Sequence, residues 1–166
     1  MRRILLVLGL GVAGLGSPCA AVAGALERPP EEACDYLAGE GLAAADRYRE
    51  FRAGQYYCWS LRKEVPAGDA RRDSIRYEAQ GSAEIVSRLA LELRVASPGQ
   101  AQRAQKAFLG YVKVLVKKAL GEDPPAEIDA AVMSARPGRW PLAGADLVLE
   151  KAKAPAAGYD LTFRVE

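Results

Sequence analysis

Three sets of residues in this sequence could do chemistry: cysteines, carboxylates and a few clustered aromatic rings, with no histidine to assist any of them. Without His, imidazole-based triads, most zinc sites and the usual near-neutral general base are excluded. Cys34 and Cys58 lie far outside the Cys-x-x-Cys spacing of redox pairs. In an oxidising compartment such a pair reads as one structural disulfide, with two free thiols as the alternative. Closing that loop would disfavour the unfolded chain by roughly 3–4 kcal/mol. A pair of carboxylates can hydrolyse glycosidic bonds without His. The acids to consider are Glu31, Glu32, Glu78, Glu92 and Asp146. Each falls in the first turn of a helix or on the polar side of a strand, where hydration accounts for it. No Walker-type loop is present, and Gly9-Leu10-Gly11 lies in a segment expected to be removed. No catalytic residue, metal ligand or cofactor site is therefore expected.

The aromatics are Tyr56, Tyr57, Trp59 and Trp140. Strict alternation along a strand puts Tyr57 and Trp59 on one side, read as the core side, and throws Tyr56 to the other beside Cys58. Trp140 sits between Arg139 and Pro141 in what reads as a loop. Tyr56 and Trp140 are thus the candidate binding residues, and Trp140 fits equally well as a plug over the end of the helical layer. This reading carries an internal conflict. Cys58 lies opposite Trp59, yet a disulfide needs Cα atoms within about 7 Å. Either the N-terminal helix crosses to the second face or a bulge near Gly54 shifts the register; the first is expected.

The elements that must position these residues follow from periodicity. Pro30-Glu31-Glu32 suits a helix start, with Ala33, Cys34 and Leu37 along one side and a stop near Gly39 or Gly41. A second short helix is expected over Leu42–Phe51, with Ala45, Tyr48 and Phe51 aligned. Period-2 patterns then mark strands from Gln55 to Val65, around Ile75–Gln80 and over Arg88–Val95. Pro66-Ala67-Gly68-Asp69 supplies turn chemistry after the first. Ser97-Pro98-Gly99-Gln100 opens a long helix to about Leu120, where Gly121 is a natural stop. Ala101, Ala104, Phe108, Tyr111, Val112, Leu115 and Ala119 form its apolar stripe. A shorter helix follows Asp123-Pro124-Pro125, burying Ile128, Ala131 and Val132. Strands at Ala145–Glu150 and Tyr159–Val165 close the chain, joined across Pro155–Gly158.

The order α-β-β-β-α-α-β-β implies an α+β fold. It is a two-layer domain, an antiparallel sheet of about five strands with helices packed on one face. It resembles small α+β protein-binding modules such as secretion chaperones in element order, with no motif shared.

The first residues read as an address. Met1-Arg2-Arg3, an uncharged run from Ile4 to Leu15 and Ala21-Val22-Ala23 have the form of a signal peptide cleaved after Ala23. Residues 1–23 would be that signal and 24–166 a single domain. The rival is a lipid-modified Cys19, for which Pro18 and the placement of Leu15 fit poorly. The chain holds 23 basic and 21 acidic residues; two arginines fall in the signal, so the mature domain is formally neutral. Neutrality argues against nucleic acid or an anionic membrane surface as partner, and no membrane span is expected in the mature form. The expectation is an exported bacterial protein, periplasmic or secreted, that is not an enzyme. It would act as an interaction or accessory factor on another envelope or secreted protein. The alternatives are a His-free hydrolase using carboxylates and a lipid-anchored envelope component.

Overall fold

The structure, a computed structural model, describes residues 26, 28–65, 73–154 and 158–166. The expected signal and its cleavage site lie outside them, as do the turn at Pro66–Asp69 and most of the connection at Pro155–Gly158. The fold is mixed α+β, built on an antiparallel sheet of eight strands where about five were expected. The strands are β1 (Arg49–Arg52), β2 (Gln55–Trp59), β3 (Lys63–Glu64), β4 (Ser74–Gly81), β5 (Val86–Val95), β6 (Gly138–Leu142), β7 (Ala145–Lys153) and β8 (Tyr159–Val165). Their spatial order is β1-β2-β4-β5-β8-β7-β6, with β3 also paired to β4. The helices are α1 (Pro30–Cys34), α2 (Ala101–Leu120) and α3 (Glu127–Met133).

The five expected strands are all present. The additions are β1, β6 and the separation of β3 from β2. The helix expected over Leu42–Phe51 does not form. That stretch runs extended beside β2, with the Ala45 amide donating to the Trp59 carbonyl at 2.8 Å, and ends as β1. Apolar spacing at Ala45, Tyr48 and Phe51 was a coincidence of period. The outer edge of β2 offered backbone partners that a helix would have left unused. The N-terminal helix is also shorter than expected. After Cys34 the chain continues through a 3₁₀ turn at Ala38–Glu40, closed by Gly41 in the left-handed region.

One side of the sheet carries the core. Leu89, Leu91, Leu93 and Val95 of β5 and Leu161, Phe163 and Val165 of β8 are fully buried, and so are Ile75, Tyr77 and Ala79 of β4. They meet Phe108, Val112, Leu115 and Ala119 of α2, then Ile128, Ala131 and Val132 of α3. Gly121 ends α2 with φ +76°, its amide donating to the Lys117 carbonyl at 2.9 Å. Among the described residues, no helix is long and apolar enough to cross a membrane.

Cys34 and Cys58 are joined, with Cα atoms 6.1 Å apart. The conflict is not resolved by a crossing helix, and the irregularity near Gly54, between Glu50 and Arg52, lies in β1 and does not set the facing of β2. β2 is turned over by one residue. Cys58 and Ser60 face the helices, both essentially inaccessible, and Tyr57 and Trp59 face the other way. α1 lies on the same side as α2: the Tyr77 hydroxyl, on the core side of β4, donates to the Ala33 carbonyl at 2.6 Å. Burial pushes that phenol strongly upward, so it stays a donor. Opposite Cys58 stands Ala79, small enough to leave room for the bridge. Ser60 then ends the strand, its Oγ accepting from the Tyr77 amide at 3.0 Å, and Leu61 is left 74% exposed. A one-residue slip exchanges every side chain between faces, which explains why one misread position misplaced the whole strand.

Phe163 and Thr162 test the division of faces. Phe163→Ala should cost about 3–5 kcal/mol, the usual loss for an emptied phenyl site. Thr162→Ala, on the open side between Glu92 and Glu150, should cost well under ~1 kcal/mol. Urea denaturation of both variants checks this; equal midpoints would contradict the assignment.

Candidate functional site

The side of the sheet away from the helices has no described element packed across it, and its composition changes from one end to the other. At the β1–β2 end, Phe51, Tyr57 and Trp59 form a continuous aromatic patch. Phe51 meets Tyr57 edge to face with centroids 4.8 Å apart, and Tyr57 lies 4.8 Å from Trp59. Arginines cap the patch: Arg49 sits 5.7 Å above Trp59, and Arg52 sits 5.4 Å above Phe51. Phe51 is 60% exposed. The rings border an open groove of about 750 Å3 that continues over β4 to Arg76, Glu78, Gln80 and Arg88.

These neighbours follow from register. Tyr57 pairs with Gln80 and Trp59 with Glu78; Gln80 in turn pairs with Arg88, and Arg76 with Glu92. Directly paired residues share a face, so each cross-strand row extends the aromatic patch into polar side chains. A kink in β1, where pairing skips between Glu50 and Arg52, brings Phe51 and Arg52 to the same side.

Toward the middle of the sheet the open side becomes a lattice of ion pairs. Glu92 accepts from Arg62 at 2.5 Å and from Arg76 at 2.8 Å. Burial alone would raise the Glu92 carboxyl, but the hydrogen bond from Arg62 and the charges of Arg62, Arg76 and Arg94 outweigh it. The net effect holds the group below its ordinary value. Further on, Arg164 grips Glu150 through two parallel bonds of 2.6 and 2.7 Å, and Arg139 bonds Asp146 at 2.6 Å.

Of the acids considered for catalysis, the structure brings two together. Glu78 and Glu92 both approach Arg76, at 3.7 and 2.8 Å. Glu31 and Glu32 are in the first turn of α1, on the other side of the sheet, where Glu32 accepts from the Tyr36 hydroxyl. Asp146 is tied to Arg139. A general acid needs its carboxyl held up near working pH, and Glu92 is shifted the opposite way. The arrangement around Arg76 is that of structural ion pairing. Among the described residues no group of three or more Cys, Asp or Glu could hold a metal ion.

The two binding candidates from sequence behave differently from the expectation. Trp140 is in an edge strand, β6, not a loop. It pairs with Leu147, faces the helices and is partly buried against the core. Its ring lies over Gly138, where a Cβ would come within 2.4 Å of it, so the absence of a side chain at 138 makes the seat. Strand pairing holds Trp140 there, where Pro141 had suggested a loop. Tyr56 does share a side with Cys58, but that is the helical side, and its ring stacks on Tyr48 at 5.9 Å. It borders the groove from the edge. The residues that the sequence reading missed are Arg49 and Phe51, assigned to a helix, Arg52, assigned to no element, and Tyr57 and Trp59, assigned to the core. One signal could have found them. Cys58 must face Cys34, and that single requirement turns Tyr57 and Trp59 outward.

Comparisons with protein-family models, with curated proteins and with solved structures find no match to this chain.

The ion pairs predict a pH dependence. Because the folded Glu92 carboxyl lies below its unfolded value, its stabilisation is complete above the unfolded value and is lost as pH falls through the folded one. Glu92→Gln should therefore be less stable than the parent at neutrality, with the gap closing as pH is lowered through the acid range below the unfolded carboxyl value. Urea midpoints of both proteins across that range check this. A gap constant with pH would contradict it.

Proposed function

We propose that this protein is an exported, non-enzymatic interaction factor, and that its contact surface is the open side of the sheet at the β1–β2 end. The observation that carries the reading is the outward placement of Tyr57 and Trp59, joined there by exposed Phe51. Aromatic rings combined with arginine are the residues that dominate binding energy at protein interfaces. The capping guanidiniums over Trp59 and Phe51 favour a protein partner over a sugar, which stacks on bare ring faces. The disulfide fits an oxidising compartment, and export is the reading supported by the form of residues 1–23. The expected partner is another envelope or secreted protein. Glu92, held ionised by three arginines, supports the non-enzymatic reading over a carboxylate hydrolase.

Two measurements on the same material test this. Intact mass of the exported protein should show a chain beginning at Gly24; a lipid on Cys19 or a retained Met1 would overturn the proposed address. Quantitative affinity capture from the extracytoplasmic fraction of the producing cells should yield partners that are lost with the double variant Phe51→Ala, Trp59→Ala. The same partners should be kept with Lys113→Ala, on the outer side of α2. Partners retained by the aromatic variant, or glycosidase activity abolished by Glu78→Gln, would refute the reading.

A further inference from the structure

The two ends of the sheet are protected to different degrees. At one end β6 is an edge strand with Pro141 inside it, a residue that cannot donate to an added neighbour. At the other end β1 pairs with β2 on one side and, among the described residues, has no strand on the other. All four of its residues are exposed and none is proline. β1 is short, charged and kinked between Glu50 and Arg52, features that oppose flat edge-to-edge association. Neither a proline nor a described strand closes its outer side, however, and the aromatic groove begins at that same edge.

Charge then selects what can be added. The groove carries three arginines, Arg52, Arg76 and Arg88, against one glutamate, Glu78. Arg76 is committed to Glu92 at 2.8 Å, whereas Arg88 reaches only a 3.9 Å contact with Glu166. Arg52 rests on Phe51 and forms no ion pair among the described residues. Arg49 is paired to Asp46 at 2.9 Å, both well exposed, which leaves it free to exchange partners at little cost. A second copy of this chain pairing edge to edge would set Arg49 and Arg52 against themselves, a like-charge arrangement that opposes self-association. An acidic strand would meet the opposite situation.

We propose that β1 receives an extended acidic segment of a partner protein as an additional antiparallel or parallel strand. The side chains of that segment on the open side would alternate acidic with aromatic or apolar residues, against Arg49, Arg52 and Phe51. This deepens the reading of the open side as a contact surface and rests on it. Backbone pairing supplies the attachment, and the arginines and Phe51 supply the choice of sequence.

The test uses the disulfide-bonded mature protein and two synthetic peptides. The first has Thr at every second position, with Glu and Tyr taking turns between; the second has Lys in place of each Glu. Titration followed by amide NMR should show the Glu peptide binding at least about tenfold tighter than the Lys peptide, as charge complementarity requires. Its affinity should fall with added salt. Amide exchange should slow in β1 on binding. Arg49→Glu with Arg52→Glu, both exposed positions of β1, should invert the preference while leaving the thermal midpoint near that of the parent. Equal binding of both peptides, no binding of the Glu peptide, or binding without slowed exchange in β1 would each overturn the proposal. So would self-association of the protein through β1, seen by sedimentation. If cellular partners depend on Phe51 and Trp59 but not on Arg49 and Arg52, the contact surface stands and the acidic strand does not.

Discussion

The structure depends on one covalent constraint, the bond between Cys34 and Cys58. Because β2 is short and lies one place from the sheet edge, its hydrophobic pattern alone does not say which way it faces. Tyr57 and Trp59 would suit a core by size and polarity. The disulfide decides the matter by requiring Cys58 to meet α1, and pleating then carries the two large rings to the opposite side. The bond also closes a loop of 24 residues, which disfavours the unfolded chain by about 3–4 kcal/mol in the entropy model. Its effect on facing is the larger consequence for function. It converts what would have been two core residues into a surface.

From that decision the two sides of the sheet divide cleanly. The helical side is apolar almost throughout, closed at one end by Trp140 and tied to α1 by the hydrogen bond from Tyr77. Lys118 of α2 adds a second tie, donating to the Tyr36 carbonyl at 2.6 Å. The open side has nothing apolar to bury over most of its area. There the cross-strand neighbours are paired by charge: Arg76 with Glu92, Arg94 with Asp160 and Arg164 with Glu150. Such pairs let a sheet face water without presenting a sticky surface. The aromatic patch interrupts that pattern at one edge, which is the physical reason the proposed contact surface is put there.

Much of this was legible in the sequence because the long elements have strong periods. β5 and β8 bury the residues their alternation named, α2 buries its stripe except for the partly exposed Tyr111, and Gly121 ends α2 as its type suggested. The failures cluster where elements are short. Leu42–Phe51 carried a weak helical spacing that backbone pairing with β2 overrode. β1 and β6 are four and five residues long, and Pro141 argued against the second. The site was lost for the same reason. Its residues lie on β1 and β2, and only a tertiary link, the disulfide, tells the two sides of β2 apart. The conflict at Cys58 was visible in the sequence; resolving it by moving the helix, when turning the strand was the simpler geometry, hid Tyr57 and Trp59.

The facing of β2 is most directly tested by the fluorescence of Trp59 in a Trp140→Phe background, where it is the remaining indole. With Cys58 turned to the helices, Trp59, half-buried against Tyr57, should be reached by acrylamide and should emit to the red of a fully buried indole. Blue-shifted emission shielded from acrylamide would place Trp59 in the core and contradict the account.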